Sequence, residues 1–233
     1  MNSSRQSFSP TEERTHVLNI ICQGQTLSLL PERAIFWVEE RCLLIADVHF
    51  GKVAHFRKVG IPLPGGVMEN DLGILTSLCK AHSPEKIIFL GDLFHSTMNK
   101  EWQQFVAWRK NVCSSDLELI RGNHDVISAA SYKQEGIKTY TAVKPYGPFL
   151  LAHDPAGQQQ YDKYVLAGHL HPGIRMVSLG RQRLTLPCFY FGKHGAVLPA
   201  FGDFTGLMPM TPKKDDKVYA VAGESVIDVS VKV

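Results

Sequence analysis

Five segments of the chain end an apolar run in residues that could donate nitrogen or oxygen to a metal ion. They are LLIADVH with Asp47 and His49, IIFLGD with Asp92, ELIRGNHD with Asn123, His124 and Asp125, FLLAHD with His153, and YVLAGHLH with His169 and His171. Taken singly, each has a structural explanation, because Asp and Asn after a strand are common turn formers. Together, and in this order, they form a ligand set. Of the ten histidines in the chain, five lie in these tips. Carboxylate, amide oxygen and imidazole without thiolate suit Mn, Fe, Zn or Mg, and not a closed structural zinc site. The donors are too many for one tetrahedral ion and enough for two ions sharing a carboxylate.

Such a site needs elements that bring the five tips together. The runs VLNIIC, TLSLL, AIFWV and CLLIAD read as strands, and KIIFLGD and LELIRGNHD as buried strands running into loops. Met68, Leu72, Leu75, Leu78 and Cys79 repeat at helical spacing; Trp102, Phe105, Val106 and Val112 mark another helix, on which Trp102, Phe105 and Val106 form an apolar stripe that faces a core. A further helix is expected from Lys52, followed by the turn-forming GIPLPGG loop. The second half is strand-rich: YGPFLLAHD, YVLAGHLH, GIRMVSLG, RLTLPCFYF, KVYAVAG and SVIDVSV. This order predicts one α/β domain over residues 16–233, with two packed mixed sheets flanked by helices, behind a loose tail of residues 1–15. In open α/β sheets ligands gather at the carboxyl ends of strands, where all five tips lie.

Composition agrees with a folded, soluble chain. Of the 233 residues, 44% are hydrophobic and 20% charged, which excludes a disordered or fibrous protein. The net charge of +3 is too slight to mark a tight duplex binder and permits nucleic acid without demanding it. Five cysteines with no C-x-x-C pair read as buried apolar residues in a reducing cytoplasm. No apolar run reaches membrane-spanning length, so a cytoplasmic location is expected.

The order D-x-H, GD, GNHD, H, G-H-x-H resembles the calcineurin-like metallophosphoesterase superfamily. The segments DVHFGKVAHFRKVGIPLPGG, GDLFHS, GHLHPG and VLPAFGDFTG look more narrowly like the ligase-associated DNA damage response endonucleases, the PdeM-type family. The resemblance implies a four-layer metallophosphoesterase sandwich and a two-metal phosphodiesterase acting on nucleic acid, a DNA-repair endonuclease. By it, Asp47, His49 and His171 hold one ion, Asn123, His153 and His169 hold the other, and Asp92 bridges them. His124 then protonates the leaving oxygen or stabilises the transition state, with Asp125 orienting it. Manganese is the metal so implied, and DNA ligase and helicase are the implied pathway partners. Two divalent ions, less the charges of Asp47 and Asp92, leave a positive site. It would hold a phosphodiester, and its more negative transition state more strongly still.

Three positions carry a possible role in binding substrate. Lys52 and Arg57, with Lys58, are either a clamp on the phosphate backbone or the solvated face of a basic helix. His95, in GDLFHS, resembles the same segment of eukaryotic double-strand-break repair nucleases, and helix capping explains it equally well. Asp203 reads as a turn residue; Lys213 and His194 have no assignable role. Two other functions fit the residues: a phosphatase or phosphodiesterase of small molecules and nucleotides, and a metal-binding scaffold for repair proteins. Retention of His124 beside the full ligand set disfavours the scaffold. With no second DNA-binding domain, single strands or flaps suit the chain better than a sequence-specific duplex.

Overall fold

The structure, a computed structural model, describes residues 16–52, 66–95, 98, 100–157, 162–177, 183–203 and 205–230. The expected tail, Arg57, Lys58 and residues 60–65 of the Pro/Gly loop lie outside the described residues, as does all of the helix expected after Lys52 except Lys52 itself.

Two mixed sheets pack face to face. The first comprises β1 (Leu18–Cys22), β2 (Gln25–Leu29), β3 (Ala34–Trp37), β4 (Cys42–Ile45), β5 (Lys86–Leu90), β6 (Asp116–Ile120) and β7 (Ile137–Tyr140), in chain order. Its first four strands meander antiparallel, and β4 to β7 run parallel. Parallel neighbours need crossovers. These pass through α1 (Val67–His82), α2 (Lys100–Asn111) and α3 (Ala129–Gln134), between β4 and β5, β5 and β6, and β6 and β7.

In the second sheet β8 (Val143–Tyr146) pairs antiparallel with β9 (Phe149–Ala152). Beside it, β10 (Tyr164–Ala167) runs parallel to both β9 and β13 (Gly195–Val197). β12 (Arg183–Phe191) joins β13 to β11 (Pro172–Val177) and to β15 (Lys217–Ala222); β14 (Met208–Pro209) and β16 (Ser225–Asp228) complete it. YGPFLLAHD is therefore not one strand. Gly147 at φ 53° and Pro148, which has no N–H to give a ladder, make the tight turn between β8 and β9.

The central strands of the first sheet, β4 to β6, are covered on both faces and read as nearly continuous apolar runs, broken by Lys86 at the start of β5 and by Asp116 and Glu118 in β6. Leu43, Ile45, Ile87, Phe89, Leu117 and Leu119 face the helices, where they meet Met68, Leu75 and Leu78 of α1, Phe105 of α2 and Tyr132 of α3. Leu44, Ile88, Leu90 and Ile120 point the other way, into the layer shared with Phe149, Leu151, Leu166 and Phe189 of the second sheet. Trp102 and Phe105 are buried as expected, with Val106 packed against them, while Val112 lies past the helix end and is exposed. The outer face of the second sheet carries the smaller clusters around Val165 and Cys188 and, among the described residues, no helix.

Candidate metal centre

All five tips meet at the carboxyl ends of β4, β5, β6, β9 and β10. Parallel β4, β5 and β6 deliver Asp47, Asp92 and Asn123, and parallel β9 and β10 deliver His153 and His169 from the facing sheet. The backbone turns sharply there. Asp47, His49, Asp92, His169 and His171 all have φ between 47° and 70°, the left-handed region that side chains rarely adopt and that gathers at functional sites.

Four glycines make the close approach possible, each immediately before an Asp, Asn or His. A Cβ on Gly91 would collide with the His153 ring, one on Gly122 with the Asp92 carboxylate, and one on Gly202 with the Val48 carbonyl. At Gly168 it would lie 2.6 Å from Asp47 Oδ2.

Two donor triads result, Asp47–His49–His171 and Asp92–His153–His169, with the ligand atoms of each within 4.8 Å of one another. Hydrogen bonds to the backbone orient them. Asp47 Oδ2 accepts from His169 N at 2.7 Å, and Asp92 Oδ1 from His124 N at 2.9 Å. His153 Nδ1 lies 3.1 Å from the Leu90 carbonyl, and His171 Nδ1 lies 3.3 Å from that of Thr205. Those carbonyls require a proton on each Nδ1 and leave each Nε2 lone pair facing inward, as a ligating imidazole needs.

The inward-facing atoms are short of partners. Asp47 Oδ1, His171 Nε2 and both ring nitrogens of His49 are buried without a hydrogen bond, although Asp47 Oδ1 and His171 Nε2 are only 3.7 Å apart. His153 Nε2 stands 3.0 Å from Asn123 Oδ1 and 3.1 Å from His169 Nδ1. With its proton at Nδ1, His153 faces the Asn123 oxygen acceptor to acceptor, which repels unless a cation lies between them. Burial of Asp47 and Asp92, both at most 2% exposed, adds two desolvated negative charges that call for the same remedy. Desolvation pushes the pKa of His49 down to about 2, so its ring is neutral and able to ligate. The residues fit a pair of divalent cations.

His124 and Asp125 divide. The His124 ring stacks on His95, with centroids 4.6 Å apart, and stands edge-on to His49 at 5.4 Å, so it overlooks the first triad without joining either. Asp125, expected to orient that ring, does something else. Its Oδ1 accepts from the backbone of Leu93 and Phe94, and its Oδ2 from Gly122 N at 2.9 Å. It pins the β5 loop to the β6 loop and acts on His124 only through the backbone. Its burial raises its pKa.

Lys52 is half-buried beside the triads. Desolvation lowers its pKa, while Asp92 and Asp47 act in the opposite direction, which places its charge within their field. Arg57 lies outside the described residues. Asp203 is more than a turn residue, since its carboxylate pairs with Arg33 at 2.8 Å and fastens the segment whose Thr205 carbonyl holds His171.

A family model, calcineurin-like phosphoesterase, matches residues 40–173, which contain every donor named above. The chain belongs to the calcineurin-like phosphoesterase family. It is accordingly a metal-dependent hydrolase of phosphoester bonds, from a family built around a dinuclear metal centre. The fold agrees: the Pseudomonas putida nuclease MPE superposes with a TM-score of 0.78 at 34% identity, over 92% of this chain and all of that one. A looser likeness, with a TM-score of 0.43 and 13% identity over 82% of this chain and 99% of the other, is to Yfce, a phosphoesterase from E. coli. No curated protein matches the chain. Like other calcineurin-like phosphoesterases it is an α/β protein of two mixed sheets, and among its described residues no helix is long and apolar enough to cross a membrane.

Sequence reasoning passed over the Leu90 and Thr205 carbonyls, Arg33 and the glycines. Only the glycines leave a signal, each standing directly before a polar tip residue.

Proposed function

We propose that this calcineurin-like phosphoesterase is a phosphodiesterase of nucleic acid, a repair endonuclease that cuts single strands or flaps, with manganese at both metal positions. The two inward-facing donor triads, short of partners and sharing one wall at the end of the sheets, carry the phosphoester chemistry. Likeness to the Pseudomonas putida nuclease MPE at 34% identity supports nucleic acid as substrate, and the GDLFHS segment agrees with it. A repair role, with DNA ligase and a helicase acting in the same pathway in the cytoplasm, rests on the resemblance of DVHFGKVAHFRKVGIPLPGG, GDLFHS, GHLHPG and VLPAFGDFTG alone. Residues 16–233 serve it as one domain.

Asp47, His49 and His171 would hold one ion, Asn123, His153 and His169 the other, and Asp92 both. When bound, two divalent ions supply Lewis acidity and an ionised water for in-line attack at phosphorus. The chain supplies the rest. Lys52 draws a phosphate oxygen toward the buried carboxylates' side of the site. The ester oxygen would leave as a poor alkoxide, so a proton delivered from the His124 ring lowers the barrier. The His95 ring stacked on His124 holds it at that post.

The test compares metal-stripped protein with protein given Mn, on single-stranded DNA and on bis-p-nitrophenyl phosphate, with Asp92→Ala as control. Cleavage of DNA only with metal and only by the unmutated chain is expected. Hydrolysis of the small diester with DNA left whole would overturn the nucleic-acid substrate and leave the site chemistry standing.

A further inference from the structure

The outer face of the second sheet holds a groove of about 910 Å³ that no part of the mechanism uses. It runs along β10 and β13, from Lys163, Lys193 and His194 at their amino ends to Leu170 and Pro155 at the other. Lys213 borders it from the loop before β15. Lys213, without a role in the sequence, thus converges with Lys163 and Lys193 from three separate loops.

The groove carries more positive than negative charge, three lysines against one acid. Three lysines outside it are ion-paired, Lys86 and Lys144 with Glu118 and Lys110 with Glu135. Among the described residues no carboxylate lies within ion-pair distance of Lys163, Lys193 or Lys213, although Lys163 Nζ does donate to the Gly147 carbonyl at 2.6 Å. Asp162 is the one acid in the lining, and Asp216 behind it is engaged by the Tyr190 hydroxyl and by Lys213 N. All three lysines are exposed, so their charges reach whatever enters the groove.

Position ties the groove to the metal centre. Leu170 sits between His169 and His171, and Pro155 lies two residues after His153. A strand of β10's length spans about 13 Å, room for roughly two nucleotides of an extended chain. We propose that this groove binds the phosphate backbone of the single-stranded nucleic acid on which the site acts, holding the strand beyond the scissile bond as it passes over the rim at Leu170. The inference rests on the nucleic-acid reading of the function and assigns that substrate a track. Backbone contacts of this kind position a strand without reading its sequence.

The experiment measures binding of a fluorescent thymidine oligonucleotide of about 15 nucleotides to the full-length, Ca²⁺-loaded protein as a function of salt. The unmutated chain is compared with Lys163→Ala/Lys193→Ala/Lys213→Ala, with the same positions changed to Arg, and with a charge-matched control on the three helices, Lys80→Ala/Lys100→Ala/Lys133→Ala. The groove variant is expected to bind at least tenfold more weakly. Its slope of log affinity against log salt should fall by about 2, since each single-strand phosphate contact contributes about 0.7. The Arg variant should bind like the unmutated chain, and the control should lose less than threefold. Equal affinity and slope in unmutated and groove-variant chains overturns the track while leaving the nuclease reading intact. Failure of the unmutated chain to bind or cut any strand overturns both. Loss of a dimer in sedimentation, with strand binding unchanged, would instead make the groove a face between two copies and overturn the proposal.

Discussion

At the scale of single residues, the site is defined as much by what is missing from side chains as by what they carry. The His124 ring bonds to neither triad, yet it faces His49, while the backbone N–H of His124 holds Asp92. Replacement by Ala keeps that N–H, so His124→Ala is expected to retain both metals and lose about 10²–10⁴ in kcat, the usual worth of a general acid. Metal counted by elemental analysis alongside turnover checks this, and a variant that comes off the column without metal would remove His124 from the role of proton donor. Gly91 shows the reverse case. It stands at φ 83° with the His153 ring where a Cβ would go, so Gly91→Ala must displace that ring and its Leu90 contact. We expect Gly91→Ala to fold, to bind one metal equivalent tightly and the second at least tenfold more weakly by calorimetric titration. Two unaltered binding steps would show that the His153 loop yields at no cost.

At the scale of elements, the two sheets are joined by more than apolar packing. Glu118 of β6 is 3% exposed between the layers, where Lys144 of β8 pairs with it and Lys86 of β5 lies 3.7 Å away. Lys86 also reaches the Tyr146 hydroxyl at 3.1 Å, so both lysines depend on a cross-sheet polar knot. Removing one partner of such a group strands the others in low dielectric. Glu118→Gln should therefore lose about 2–4 kcal/mol in urea unfolding, and a loss below about 0.5 kcal/mol would mean that water already shares those charges. This knot was illegible in the chain, because β6 and β8 are distant in sequence and nothing local pairs them. The same holds for α3, whose six residues are too few to display a helical period, and for β13, whose three residues are too few to display a strand's. The metal donors were legible for the opposite reason: each follows its own strand directly, so position along the chain and position in space coincide.

For the molecule as a whole, one buried acid outside the ligand set should leave a signature in its stability. Asp71 of α1 is 4% exposed and borders the small space lined by His49, Lys52 and Thr205. Burial, and then the nearby Asp203, raise its pKa to about 7 from the ordinary 3.8, with Arg33 pulling weakly the other way. The sequence displayed Asp71 only as a polar position on an apolar helix face, and the Arg33–Asp203 pair that confronts it comes from two remote loops. The folded chain keeps the Asp71 proton up to about pH 7, whereas the unfolded chain gives it up near pH 4. Between those values the native state binds more protons, so stability falls as pH rises through the window and levels off above it. A shift of this size corresponds to about 2–4 kcal/mol. Asp71→Asn carries no titrating proton, and so the metal-free variant should gain on the unmutated chain by that amount between pH 4.5 and pH 8 in urea midpoints. Other carboxylates titrate in both proteins and cancel in the difference. Parallel curves for the two proteins across this range would show that Asp71 ionises as freely in the fold as in water, and that the small space beside His49 is wet.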